Sequence, residues 1–174
     1  MNEKILLSGL ALLAATTALP DARAQEPTPA YLAQHETHDD DDQAIRTLLR
    51  TYTTSVTNAD QASFEALLLD DQVPFSSTNE LVGPKAETHP VDTRRYSGFR
   101  QAIFASGVRY TQQFYNVHIE QDGVLAQVSL DFVTKEVKSG RGGYGWKVLQ
   151  LLKVRGQWKI ASEFYTGRSL PDPS

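Results

Sequence analysis

The sequence predicts an α+β domain in which N-terminal helices pack into the concave face of a strongly curved antiparallel sheet. Apolar residues recur at helical spacing up to Ala105, and an alternating pattern takes over beyond Gly107. Paired turn residues then divide the second half at hairpin intervals. A chain of 174 residues, 40% hydrophobic and 22% charged, has an ordinary balance for about one domain.

Residues 5–18, ILLSGLALLAATTA, follow Lys4 and are apolar but too short to span a bilayer. With Ala22-Arg23-Ala24 behind them they read as a signal peptide over 1–24, cleaved near Ala24. The expected product is periplasmic or secreted, with no membrane association after cleavage. Lys4 and Arg23 balance Glu3 and Asp21, so the mature chain keeps the net charge of −4. That charge excludes broad attraction to nucleic acid or anionic lipid. The absence of cysteine excludes disulfides, thiolate metal sites and a thiol nucleophile.

Residues 25–41 read as a flexible acidic leader, with two prolines and the start of the run Asp39-Asp40-Asp41-Asp42. His35 and His38 beside these aspartates could be drawn as a metal cluster, but the spacing is loose and no metal is assigned. Asp40-x-x-Gln43 fits a capping box instead.

Over residues 43–58, Ile45, Leu48, Leu49, Tyr52 and Val56 form one helical stripe. Phe64, Leu67 and Leu68 repeat it in a shorter helix ending at Asp70-Asp71. Residues 73–78 suit a short strand, and Gly83, Pro84 and Pro90 mark a loop. A third helix is expected over 93–105, with Tyr96, Phe99 and Ile103 on one side. Strands follow over 108–121 and 124–137 about an Asp122-Gly123 turn, then over 146–154 and 157–166 about Arg155-Gly156. Gly140, Gly142, Gly143 and Gly145 read as a hairpin loop at the mouth of the fold, since the cluster lacks the ending of a phosphate-binding loop.

This order of helix, helix, short strand, helix and long twisted hairpins resembles the nuclear transport factor 2-like superfamily, with its SnoaL-like and steroid isomerase-like members. The likeness covers residues 42–166. Its most recognisable parts are Leu149-Gln-Leu-Leu-Lys-Val-Arg-Gly-Gln-Trp-Lys-Ile160 and the opening helices of 44–71 with their Asp70-Asp71 exit. The resemblance implies a cone-shaped domain over 42–168, followed by a tail over 169–174. It leaves activity open, because the superfamily holds isomerases, cyclases, epoxide hydrolases, dehydratases and binding modules. Tyr52 could match the pocket tyrosine of its steroid isomerases. Their acid on the strand after the second helix has no counterpart in Val73-Pro74-Phe75-Ser76-Ser77.

A two-residue Asp122-Gly123 turn would pair Gln121 with Val124, Ile119 with Ala126, Val117 with Val128 and Tyr115 with Leu130 on one inward face. For the last hairpin, an odd-length loop would gather Trp146, Val148, Gln150 and Leu152 with Trp158, Ile160, Ser162 and Phe164. Lys147, Leu149, Leu151, Glu163 and Tyr165 then face outward, as do His118 and Asp131. The residues expected to meet a ligand are Tyr52, Tyr96, Gln113, Tyr115, Trp146, Gln150 and Ser162, with Arg109 at the rim.

No inward acid or base emerges, no catalytic residue is assigned and no cofactor is expected. The sequence therefore reads as an exported, non-catalytic module. It would bind a small, largely apolar molecule in its cone, or act as a homodimer joined through the outer sheet face. The alternative is an isomerase or hydrolase acting on a small cyclic or aromatic substrate in the same pocket. A strand bulge that turned Asp131 or Glu163 inward would favour the enzyme.

Overall fold

A computed structural model describes residues 28–32, 35–81 and 91–171. The expected signal peptide, the beginning of the leader and the loop of Gly83, Pro84 and Pro90 lie outside them. The described residues from 35 onward form one compact unit.

Helix α1, Asp39–Asn58, starts four residues before the expected position because the four aspartates occupy its first turn, where negative charge meets the positive end of the helix dipole. The capping box does not form. His38 holds the N-cap in extended conformation without a side-chain bond. The stripe of Ile45, Leu48, Leu49, Tyr52 and Val56 is buried as the spacing predicts. The helix stops at Ala59, in the left-handed region at φ 55°, and Asp60 caps α2, Gln61–Glu65, by accepting from Ser63 N–H at 3.0 Å. Strand β1, Phe75–Ser77, and the single turn α3, Thr78–Leu81, follow. The third predicted helix is shorter than its pattern: α4 is Tyr96–Arg100 and continues as a π-helical turn over Gln101–Ala105.

Strands β2 (Tyr110–Asp122), β3 (Leu125–Glu136), β4 (Gly142–Val154) and β5 (Gln157–Tyr165) form an antiparallel meander. Strand β1 extends it in parallel beside β5, and β6, Arg168–Ser169, pairs with the start of β4. Three glycines assigned to a loop are therefore part of β4. A Cβ on Gly142 would run into the Thr134 carbonyl and one on Gly145 into the Thr166 carbonyl, so close backbone approach accounts for these two.

Two registers differ from expectation. Asp122 pairs with Leu125, so the turn is Gly123-Val124, with Gly123 at φ 58°; Gln121 pairs with Ala126 and Ile119 with Val128. This moves the pairing by two residues and leaves Gln121, Ala126 and Val128 inside as predicted. Between Tyr115 and His118 a bulge inserts one extra residue opposite β3, with Asn116 at φ 50°. Beyond it the faces exchange. Gln112 is buried and Phe114 packs on the core, while Gln113 and Tyr115 turn out and Tyr115 pairs with Asp131 rather than Leu130.

In the last hairpin, Arg155 and Gly156 both have positive φ, 51° and 78°, and form a two-residue turn that pairs Val154 with Gln157. An even loop joins odd to even residues, so the odd-length loop expected from the aromatic pattern is incorrect. Lys147, Leu149 and Leu151 face the core with Ile160 and Trp158; Trp146 and Gln150 are exposed. A second bulge, at Ala161, turns β5 over and brings Glu163 inward. His118 and Asp131 remain on the outer face as expected, Asp131 accepting a 2.6 Å hydrogen bond from Asn116.

One end of the sheet is closed by Asp41, placed in the leader by the sequence and buried in the structure. Its carboxylate accepts from Lys153 Nζ at 2.7 Å, Trp158 Nε1 at 2.9 Å and Gln121 Nε2 at 2.7 Å. The bond from Lys153, then those from Trp158 and Gln121, hold its pKa at about 2 against an ordinary 3.8. An acid with a depressed native pKa contributes stability that is complete above its unfolded value and disappears as pH falls toward the native one. Wild-type stability should therefore decline between about pH 4 and pH 2 through this group. Asp41→Asn should cost about 2 kcal/mol at neutral pH and flatten that part of the profile in urea titrations; an unchanged acid limb would contradict the assignment.

Candidate active site

Tyr52 from the middle of α1, Lys147 from β4 and Glu163 from β5 meet beneath the aromatic core. Alternation along β4 and the Ala161 bulge in β5 aim the last two at the helix. Lys147 Nζ lies 2.6 Å from Glu163 Oε1 and donates to Tyr52 Oη at 2.7 Å; Tyr52 donates to the same carboxylate oxygen at 3.0 Å. Each of the three side chains is 2% exposed or less. The ammonium also sits 4.5 Å from the Tyr52 ring centre and 5.2–5.4 Å from those of Phe132, Phe114 and Tyr165.

Burial dominates the electrostatics. It pushes the Lys147 ammonium below the usual lysine range, against the pull of Glu163, and the Glu163 carboxyl above the usual glutamate range, against the pull of Lys147. Tyr52 is pushed further up by burial and then by the carboxylate. Both shifts of the pair favour moving the shared proton from amine to acid. Glu163 Oε2 and Gln112 Oε1 are buried without a hydrogen-bond partner among the described residues.

A cavity of about 460 Å³ adjoins this cluster. Phe75, Phe99, Ile103 and Phe132 supply apolar wall, and Lys147 and Gln112 supply polar wall. Gln112 donates through Nε2 to Thr134 at 2.9 Å. The α4 segment and its π-helical turn form one side of the cavity through Gly98, Phe99, Ala102 and Ile103. π-Helical turns of this kind are frequent at functional sites.

Of the residues expected to meet a ligand, Tyr52 is in the buried cluster. Tyr96 is buried and donates to Glu65 Oε1 at 3.0 Å, packed against Phe75 with ring centres 5.7 Å apart. Ser162 is buried and donates to Gln150 at 2.8 Å, which satisfies both polar groups by each other. Trp146 and Gln150 are exposed on the outer face instead of inside. Gln113 and Tyr115 line a separate groove with Arg46, Leu49 and Arg50. Arg109 binds the Thr57 carbonyl at 2.8 Å. Sequence reasoning missed Lys147 and Gln112, and placed Glu163 outward unless a strand bulge turned it in, which the bulge at Ala161 does. The signal for Lys147 was present in the Arg155-Gly156 pair, since a two-residue turn puts Lys147 on the Trp158 and Ile160 face. The two bulges that admit Glu163 and Gln112 had no such marker.

No known family's sequence profile matches the chain, and no curated protein matches it by sequence. Solved structures do match in fold. An NTF2-like protein of unknown function from Shewanella baltica is 18% identical, with a TM-score of 0.54 over 79% of this chain and 99% of that one. An NTF2-like protein of unknown function from Pseudomonas putida is 12% identical, with a TM-score of 0.58 over 75% and 89%. A candidate scytalone dehydratase from Novosphingobium aromaticivorans is 16% identical, with a TM-score of 0.55 over 76% and 85%. The domain thus has the NTF2-like fold, also called cystatin-like, that the sequence pattern resembles.

Removing one member of a buried ion pair strands the other, whereas replacing both by apolar groups is often tolerated. Glu163→Gln should cost about 3–5 kcal/mol in urea unfolding, and Lys147→Met with Glu163→Leu should recover most of that loss. Equal losses in the single and double variants would show that the pair is not coupled as described.

Proposed function

We propose that the protein is an enzyme of the proton-transfer type, an isomerase or lyase, acting on a small cyclic or aromatic molecule held in the cavity beside Lys147. The observation that carries this reading is the buried Lys147–Glu163 pair, whose Lys147 lines the cavity, with Tyr52 bonded to both members. Transfer of one proton from the Lys147 ammonium to Glu163 leaves a neutral amine, a competent base in a desolvated site. The amine can then take a proton from a carbon beside a substrate carbonyl. Returning that proton to another carbon isomerises the substrate; delivering it to a departing hydroxyl releases water. The fold match to a candidate dehydratase is in keeping with the second outcome. The inward Glu163 is the feature whose expected absence had favoured a non-catalytic module, so it moves the reading to the enzyme.

Export and homodimerisation belong to the same proposal. Export is supported by the signal-like residues 1–24. Dimerisation through the outer sheet face is supported by the exposed aromatic side chains Tyr115, Tyr144 and Trp146.

Deuterium exchange tests the chemistry without knowledge of the product. Wild-type protein in D2O should wash deuterium into the carbon adjacent to the carbonyl of at least one member of a panel of cyclic ketones, followed by NMR. Lys147→Met with Glu163→Leu should abolish the exchange, a loss of about 100-fold or more. Exchange that survives the double substitution, or is absent across the panel, would contradict the assignment.

A further inference from the structure

The mouth of the cavity differs chemically from its walls. Arg94 and Arg95 both line it, with Asp92 as the opposing charge, while the charge of Lys147 is already met by Glu163. Among the described residues the lining therefore has a net excess of one positive charge, at its exposed end, on a protein of net charge −4.

The arginine-bearing backbone is fixed. Phe75 N–H donates to the Thr93 carbonyl at 2.7 Å, and Arg95 N–H donates to the Phe75 carbonyl at 3.2 Å. Ser76 Oγ donates to Thr93 O at 2.9 Å, and Asp92 accepts from Arg94 N–H at 2.9 Å. The Asp92 carboxylate is thus engaged by backbone, and Arg95 Nε binds the Asp92 carbonyl rather than its side chain. Among the described residues neither guanidinium forms a salt bridge, although guanidinium geometry suits planar oxyanions. The rings of Phe75, Phe99 and Phe132 line the same cavity, Phe75 and Phe132 being buried where the arginines are exposed.

We infer that the ligand is a ring-bearing carboxylate, with its ring against Phe75, Phe99 and Phe132 and its carboxylate at the mouth on Arg94 and Arg95. This rests on the cavity being the binding site, as proposed above, and adds the substrate class. A ligand anchored in that way points the end remote from its carboxylate toward Lys147.

The test compares 2-naphthoate, 2-naphthamide and 2-naphthyl phosphate by isothermal titration calorimetry and by chemical-shift changes at Phe99 and Ile103. Naphthoate should bind at least about tenfold more tightly than the amide, as expected for a charge-assisted contact. It should lose that advantage in R94Q/R95Q and in high salt, because the mouth is exposed. Both arginines are exposed and outside the buried cluster, so the double variant should fold normally. Equal binding of acid and amide, a preference that survives R94Q/R95Q, or tighter binding of the phosphate would overturn the carboxylate assignment alone. Failure of all three to shift Phe99 or Ile103 would overturn the cavity as the binding site as well.

Discussion

The ion pair between Lys147 and Glu163 is the constraint on which the rest of the domain depends. Each ion loses several kcal/mol of solvation when it is withdrawn from water, and Coulomb attraction alone does not ensure repayment. The structure surrounds the pair with compensating contacts. Tyr52 supplies a donor to the carboxylate and an acceptor to the ammonium, and four aromatic rings surround the cation. Because Tyr52 belongs to α1 while the other two belong to β4 and β5, the same bonds fix the helix against the sheet. A hydrophobic triplet could fill this space with comparable stability. What it could not supply is a desolvated amine beside an acid, which gives the pair a chemical role in addition to a packing role.

Two irregularities make this arrangement possible. The side-chain period of a strand is two, so each inserted residue reverses every side chain beyond it. Near Asn116, the bulge turns Gln112 and Phe114 toward the core and sends Tyr115 outward. At Ala161, the second puts Glu163 on the inner side after Trp158 and Ile160 have already faced inward. Strict alternation in β5 would place Ser162 there instead. The π-helical turn after α4 is a third departure from regular geometry, and it too borders the cavity.

The limits of sequence reading follow from the same physics. The α1 stripe, the strand positions and the resemblance to the NTF2-like fold were legible because helical spacing, alternation and turn residues are local signals. The sequence pattern places Asp41 in a flexible leader, because acidic runs usually are solvated. Its three donors come from Gln121, Lys153 and Trp158, far along the chain, and no local pattern announces them. Lys147 sits in an apolar run as the one charged residue, Trp-Lys-Val-Leu, and gathering tryptophans into the core outweighed the turn geometry that would have turned it inward. Glu163 depends on a bulge at an alanine, a residue that fits either side of a sheet. The site was therefore hidden where the chain breaks its own period.

The most direct measurement is a carbon-13 NMR titration of the Glu163 side-chain carboxyl, assigned by its disappearance in Glu163→Gln. A pair governed by desolvation predicts a midpoint above the ordinary glutamate value of 4.5, despite the ammonium 2.6 Å away. A midpoint at or below 4.5 would show an ion pair stabilised as a fixed structural salt bridge, and would contradict the reading of Lys147 and Glu163 as a proton-exchanging centre.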